Sequence, residues 1–103
     1  EHFGLGRYGD PVDPDACFQA MQAMARVLRP GGCLYFSTIL GMERVNFNAH
    51  RVFAPSTVLS AFPQLELVSF AAVDDLGDYI AECCPEDFAS SKFACGLFEF
   101  TKA

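Results

Sequence analysis

The candidate catalytic and binding side chains fall in two short stretches: Glu1, His2 and Asp10 at the start, and Asn48, His50 and Arg51 further along. His2 and His50 are the only histidines. An imidazole titrates near pH ~6.5, so either ring is suited to take a proton from a hydroxyl group as a general base. The architectural alternative is that His2 caps or packs the chain and His50 holds its loop. Arg51 carries a planar fork of donors that can grip an anionic group through two parallel bonds, or it can pair with Glu43 or the loop around Asp10. Glu1 and Asp10 are carboxylates able to act as a base or to bind a ligand. Asn48 can contact a ligand or tie its loop to its own backbone.

Metal chemistry is not expected. The five cysteines, at positions 17, 33, 83, 84 and 95, contain no pair at metal-ligand spacing. Their odd number and the adjacent Cys83 and Cys84 argue for reduced thiols and a cytoplasmic location, with Cys17, Cys33 and Cys95 as small core residues. Net charge is -6, and the six acidic residues from Asp74 to Asp87 are unrelieved by Lys or Arg. A polyanion would be repelled there, which makes nucleic acid an unsuitable partner. No apolar run approaches the ~20 residues that cross a bilayer, so no membrane partner is expected.

The elements that position these groups radiate from a central turn. Arg29-Pro30-Gly31-Gly32 separates a helical pattern from a strand pattern. Pro30 cannot continue a helix, and Gly31 and Gly32 suit a tight exit from one. Upstream, Phe18, Met21, Ala25 and Leu28 recur at helical spacing, and Asp13-Pro14 supplies a start. We expect a helix from about Pro14 to Leu28. Cys33–Thr38 reads as a strand apolar on both faces, hence covered by helices on both sides. Pro55 opens a short helix that Pro63 closes. Leu65–Val73 is a second strand, with Leu65, Leu67, Ser69, Ala71 and Val73 on one face. Phe93–Thr101 is a third, with Ala94, Gly96, Phe98 and Phe100 on one face. The last two strands should pair as an antiparallel hairpin, giving a three-stranded mixed α/β sheet flanked by helices. The chain starts at Glu1, inside what looks like a motif, and reads as one partial domain spanning 1–103.

A helix ending in Arg-Val-Leu-Arg-Pro-Gly-Gly before a strand resembles a hallmark of class I S-adenosylmethionine-dependent methyltransferases, where it precedes the fifth strand of a seven-stranded Rossmann-like sheet. Glu1-His2 is similar to the Glu-His that ends the fourth strand in many of these enzymes, and the terminal pair of strands is similar to the hairpin that closes that sheet. The strings Glu1-His-Phe-Gly-Leu-Gly-Arg-Tyr-Gly-Asp-Pro11 and Phe47-Asn-Ala-His-Arg51-Val-Phe53 more closely resemble an uncharacterised methyltransferase-like family of unknown function. The chain departs from related sequences in having Thr38-Ile39 where a proline commonly follows the strand.

The resemblance implies the C-terminal half of a methyltransferase domain. His2 and His50 would stand on its catalytic rim, and Glu1 and His2 would face the cofactor. Asp10, Asn48 and Arg51 would face a small-molecule acceptor. The half implied to hold S-adenosylmethionine, with its Gly-rich loop and acidic ribose ligand, lies outside these residues. The piece alone should therefore bind the cofactor weakly and be inactive. A second expectation, from a different class, is a noncatalytic binding or assembly module. Its Cys33–Thr38 edge would be open to self-association.

Overall fold

The computed structural model describes residues 1–46 and 49–103. Asn48 therefore lies outside the described residues, as does Phe47 of the second motif. The element order is α1 (Ala16–Val27), β1 (Cys33–Leu40), β2 (Arg44–Asn46), β3 (His50–Val52), α2 (Pro55–Ala61), β4 (Leu65–Val73), β5 (Tyr79–Ile80), a 3-10 turn (Pro85–Phe88) and β6 (Ala94–Lys102).

β1, β6, β4 and β5 form one sheet in that order, while β2 and β3 form a separate two-stranded ribbon. The expected antiparallel pairing of the last two long strands is present. The expected three-stranded mixed sheet is not. β6 lies between β1 and β4 and runs antiparallel to both. β1 and β4 point the same way but never touch as neighbours, so every ladder is antiparallel. The fourth strand, β5, comes from the acidic connection: Tyr79 and Ile80 fold back beside Val73 and Ala72. Asp74 makes that reversal by accepting the backbone N–H groups of Leu76 and Asp78.

One face of the sheet carries the core. Leu40, Phe70, Ala72, Ala94, Phe98 and Phe100 are buried there with Met21, Ala25 and Val58 from the helices. Phe36, Phe62, Phe70, Phe98 and Phe100 are linked ring to ring, Phe70 to Phe98 with centroids 4.8 Å apart. Each fully buried Phe contributes about 1.5–3 kcal/mol of transfer free energy. The other face is open, and the prediction of helices on both sides of the first strand is overturned. Tyr35 is 76% exposed and Cys33 is exposed rather than a core residue. Both sit at odd positions of β1, opposite Glu99 and Thr101.

Three local features depart from simple patterning. Strict alternation fails in β4 because a bulge lies between Leu67 and Ser69. The extra residue, Val68, reverses the facing of the rest of the strand, so Leu65 and Phe70 both bury although five positions apart. Helix α1 begins at Ala16, two residues later than expected, because the Asp13 carboxylate accepts the Asp15 N–H and keeps the chain in a turn. At its other end α1 is tied down by a residue the pattern did not select. The Lys102 ammonium donates to the carbonyls of Ala25 and Leu28, both at 3.0 Å.

Candidate functional site

The described reactive residues of the two stretches meet where loop 1–13 is tied to the β2–β3 ribbon, which follows β1 and returns beside its carboxyl end through Phe53 and Leu40. Loop 1–13 is folded upon itself before it meets the sheet. Gly4 takes φ +75, its N–H donates to Asp10 Oδ2 at 3.1 Å, and its carbonyl accepts the Asp13 N–H at 2.8 Å. Tyr8 N–H reaches Asp10 Oδ1 at 3.4 Å. Burial pushes the Asp10 carboxyl upward, but the backbone N–H groups of Asp10, Tyr8, Gly6 and Gly4 outweigh it and leave the acid below its ordinary value. Asp10 is thus the internal tie of this loop, with one edge bordering a neighbouring cleft.

The loop is fastened to the β2–β3 ribbon at two points. The Glu1 carbonyl accepts the Arg51 N–H at 2.9 Å. The second point is His2, whose Nδ1 bonds the Ala49 carbonyl. A carbonyl only accepts, so Nδ1 carries the proton in that bond and Nε2 keeps an open lone pair in the neutral ring. Glu1 Oε1 lies 3.5 Å from Nε2, and Tyr8 meets the imidazole edge-on with centroids 5.4 Å apart. Together Glu1, His2, Phe3, Tyr8 and Asp10 line a cleft of about 450 Å³. That volume is in the range of small-molecule sites. The ring is fixed at Nδ1 by a carbonyl, and the Glu1 carboxylate lies beside Nε2, the nitrogen that faces the cleft; a proton taken at Nε2 would be held against Glu1, unlike a triad, in which the carboxylate backs the opposite nitrogen.

His50 is placed differently. Its Nε2 pairs with the Asn46 amide nitrogen at 2.8 Å, across the β2–β3 ladder that sets Asn46 opposite His50. The amide donates, so this lone pair is occupied. Phe93 stands perpendicular to the ring at 5.1 Å. His50 shares the rim with His2, since His2 binds the carbonyl of the preceding residue, but it does not line the cleft.

Arg51 is a strut. Its Nη2 donates to the Pro14 carbonyl at 3.1 Å, and its guanidinium lies over Phe18 and Phe53 at 5.7 and 5.9 Å. The expected salt bridge to Glu43 or Asp10 is not formed among the described residues. Aromatic faces take its place. The buried Nε has no partner among the described residues.

The walls of the cleft contain two residues that sequence reasoning did not select, Phe3 and Tyr8, although the aromatic spacing around Gly4 and Gly6 was available as a signal. A larger hollow, about 670 Å³, lies elsewhere, over Tyr35, Ser69 and Leu97 on the open sheet face. No histidine borders it.

The glycine loop does not fit a phosphate or nucleotide cradle. A Cβ on Gly4 would meet the Asp13 carbonyl oxygen at 1.9 Å, so the space beside it is filled by the loop's own backbone. Its N–H is also spent on Asp10. No described helix is long and apolar enough to cross a membrane.

Residues 1–80 match the family described as "Caenorhabditis protein of unknown function, DUF268", and the chain belongs to that family. No curated protein and no solved structure matches the chain.

Proposed function

We propose that this chain is the C-terminal part of an S-adenosylmethionine-dependent methyltransferase, contributing the acceptor-side rim and the closing edge of the sheet. One observation carries the reading. The last strand, β6, is inserted antiparallel between two strands that run the same way, and the first of these comes directly after the Arg29-Pro30-Gly31-Gly32 turn. The tie of Glu1 and His2 to the ribbon beside the carboxyl end of β1 supports it, because open α/β sheets place their ligands at the carboxyl ends of their strands. The cofactor itself would be held by residues outside this chain, a reading that the filled loop at Gly4 supports.

Methyl transfer asks an enzyme chiefly for positioning, and a hydroxyl acceptor also needs a base. In this reading His2 holds the acceptor's proton at Nε2, with Glu1 beside the charged ring. Tyr8 and Phe3 form the walls for a small acceptor. Asp10, His50 and Arg51 set the shape of the rim instead of touching the reacting atoms.

Calorimetry tests the reading. This chain should give no tight S-adenosylmethionine binding, while a longer polypeptide supplying a strand, a Gly-rich loop and a helix before Glu1 should bind it. In that longer polypeptide His2→Gln should lower turnover by about 10²–10⁴-fold with binding retained, and His50→Gln should act on stability. A longer polypeptide with an intact Gly-rich loop and no affinity refutes the assignment. The noncatalytic alternative rests on a separate observation. Asp10, His50 and Arg51 are each engaged in internal bonds, which speaks for a noncatalytic role of these residues.

A further inference from the structure

The bond that fixes His2 sets a chemical demand on whatever enters the cleft beside it. The Ala49 carbonyl takes the Nδ1 proton, so in the neutral ring Nε2 is an acceptor. Glu1 Oε1 is an acceptor too, and it lies 3.5 Å from Nε2. Two sets of lone pairs therefore stand side by side on one wall, and a donor with two or more protons satisfies both. The remaining walls have the same sense. Asp10 is a second carboxylate, held by the N–H groups of Gly4 and Tyr8. Phe3 and Tyr8 supply aromatic surface, whose faces attract cations. Among the described residues no Lys or Arg lines the cleft. Arg7 is engaged with the Tyr8 side chain, its guanidinium 5.6 Å from the ring centroid and its Nε donating to the hydroxyl at 3.4 Å.

We propose that the acceptor taken by this cleft is a small primary amine, entering as its ammonium ion, rather than an alcohol or an acid. The inference rests on the methyltransferase reading and narrows it. An ammonium brings three N–H bonds to the two waiting acceptors. One donates to His2 Nε2 and another to Glu1 Oε1, and the charge strengthens both. A hydroxyl brings a single proton and leaves one acceptor unserved. A carboxylate brings none and meets Glu1 and Asp10 with like charge. The aromatic walls and a volume of about 450 Å³ suit an amine that carries an aromatic or short apolar group. An ammonium has no lone pair, so an amine acceptor needs a base as much as a hydroxyl does. In the proton step the N–H bond aimed at Nε2 breaks, its electron pair stays on the amine nitrogen, and the proton goes to Nε2. The imidazolium so formed is bonded to Ala49 through Nδ1 and lies against Glu1. The amine nitrogen then holds the electron pair that accepting a methyl group requires.

Titrations of this chain, followed by the NMR signals of the His2 and Tyr8 rings, compare three probes of one shape: benzylamine, benzyl alcohol and benzoate. Acetylation of the Glu1 amino group keeps its charge out of the comparison. Benzylamine should bind at least about tenfold more tightly than benzyl alcohol, because bonds between charged partners outweigh neutral ones. Benzoate should bind least. Glu1→Gln should abolish the preference for the amine. Glu66→Gln makes the same charge change at the amino end of β4 and should retain it. Nitrogen shifts of His2 in the neutral ring should report the Nδ1–H tautomer. Absent binding of benzylamine overturns the proposal, as does equal binding of the alcohol or benzoate, a preference that survives Glu1→Gln, or an Nε2–H tautomer. These measurements need no cofactor. A longer polypeptide without affinity for S-adenosylmethionine therefore refutes the methyltransferase reading alone, and a missing amine preference refutes this inference alone.

Discussion

Lys102 offers a direct test of how the helix is held to the sheet. Its ammonium reaches from β6 to the carbonyls of Ala25 and Leu28, both at 3.0 Å, at the end of α1. Both carbonyls lie at the last turn, where that of Ala25 also receives the Leu28 N–H at 3.3 Å. Lys102→Met keeps the apolar stem and removes the charge and both bonds. A bond to a charged group contributes about 1.5–3 kcal/mol net, and a cation at a helix C-terminus adds about 0.3–1 kcal/mol. Lys102 and Leu28 are half-buried and the two bonds share one ammonium, so the sum is discounted to about 2 kcal/mol. For a domain of this size the melting temperature should fall by roughly 8–16 °C. Arg26→Met is the control. Arg26 is a cation in the same last turn but exposed, so its loss should stay within about 0.5 kcal/mol. Thermal melts followed at 222 nm would measure both. Equal effects from the two variants would refute the claim that Lys102 acts as a cap.

Three further outcomes are expected. Gly4→Ala forces a side chain into φ +75 with its Cβ 1.9 Å from the Asp13 carbonyl oxygen, whereas Gly77→Ala meets only the φ cost at +86 with nothing within 4 Å. The first should cost about 2–4 kcal/mol and the second about 1–2 kcal/mol, read from denaturant midpoints, with loop 1–13 becoming protease-sensitive only in the first. Gly96→Ala places a Cβ 2.5 Å from Leu40 Cδ1 and 2.9 Å from Phe98 Cε2. It should overpack the core by about 1–3 kcal/mol, with the melting temperature as readout. Asp75 accepts the backbone N–H groups of Lys92 and Phe93, both at 2.8 Å, and these bonds hold its carboxyl below the ordinary 3.8. A depressed folded-state value means stability that is full above the unfolded value and lost as pH falls through the folded one. An acid titration of stability should therefore have a shallower limb in Asp75→Asn than in the parent.

The elements that depend on local spacing were legible in the sequence. The helix before Arg29, the strand after Gly32 and the antiparallel partnership of the last two strands all come from period and punctuation. The features that escaped depend on nonlocal or single-residue geometry. The bulge at Val68 cannot be seen from alternation, since Leu67-Val68-Ser69 reads as uninterrupted strand. β5 is only two residues long, and its pairing is made by the Asp74 turn rather than by strand propensity. The exposure of Cys33 and Tyr35 reflects the absence of a layer on one side of the sheet, which an apolar strand pattern does not report. Of the site, Glu1, His2, Asp10 and His50 could be singled out by residue type, but that the first three border one cleft and His50 does not could not be read from the sequence. Asn46 decides that separation through a cross-strand bond.

The same bonds explain why similar-looking polar residues have unequal capacity for chemistry. A proton acceptor needs a held ring and an unspent lone pair. Asp10 has turned its two oxygens inward to the N–H groups of Gly4 and Tyr8. Arg51 is stretched between Pro14 and two aromatic faces. His50 is held, but its Nε2 is spent on Asn46. His2 meets both conditions: Ala49 fixes it through Nδ1, Tyr8 limits its tilt, and Nε2 opens to the cleft beside Glu1. The ribbon of β2 and β3 is what makes this possible, because it carries both the Ala49 carbonyl and the Arg51 N–H that locks Glu1 in place. The ribbon's contribution is therefore indirect: among the described residues it presents no reactive group of its own to the cleft, yet it determines where His2 stands.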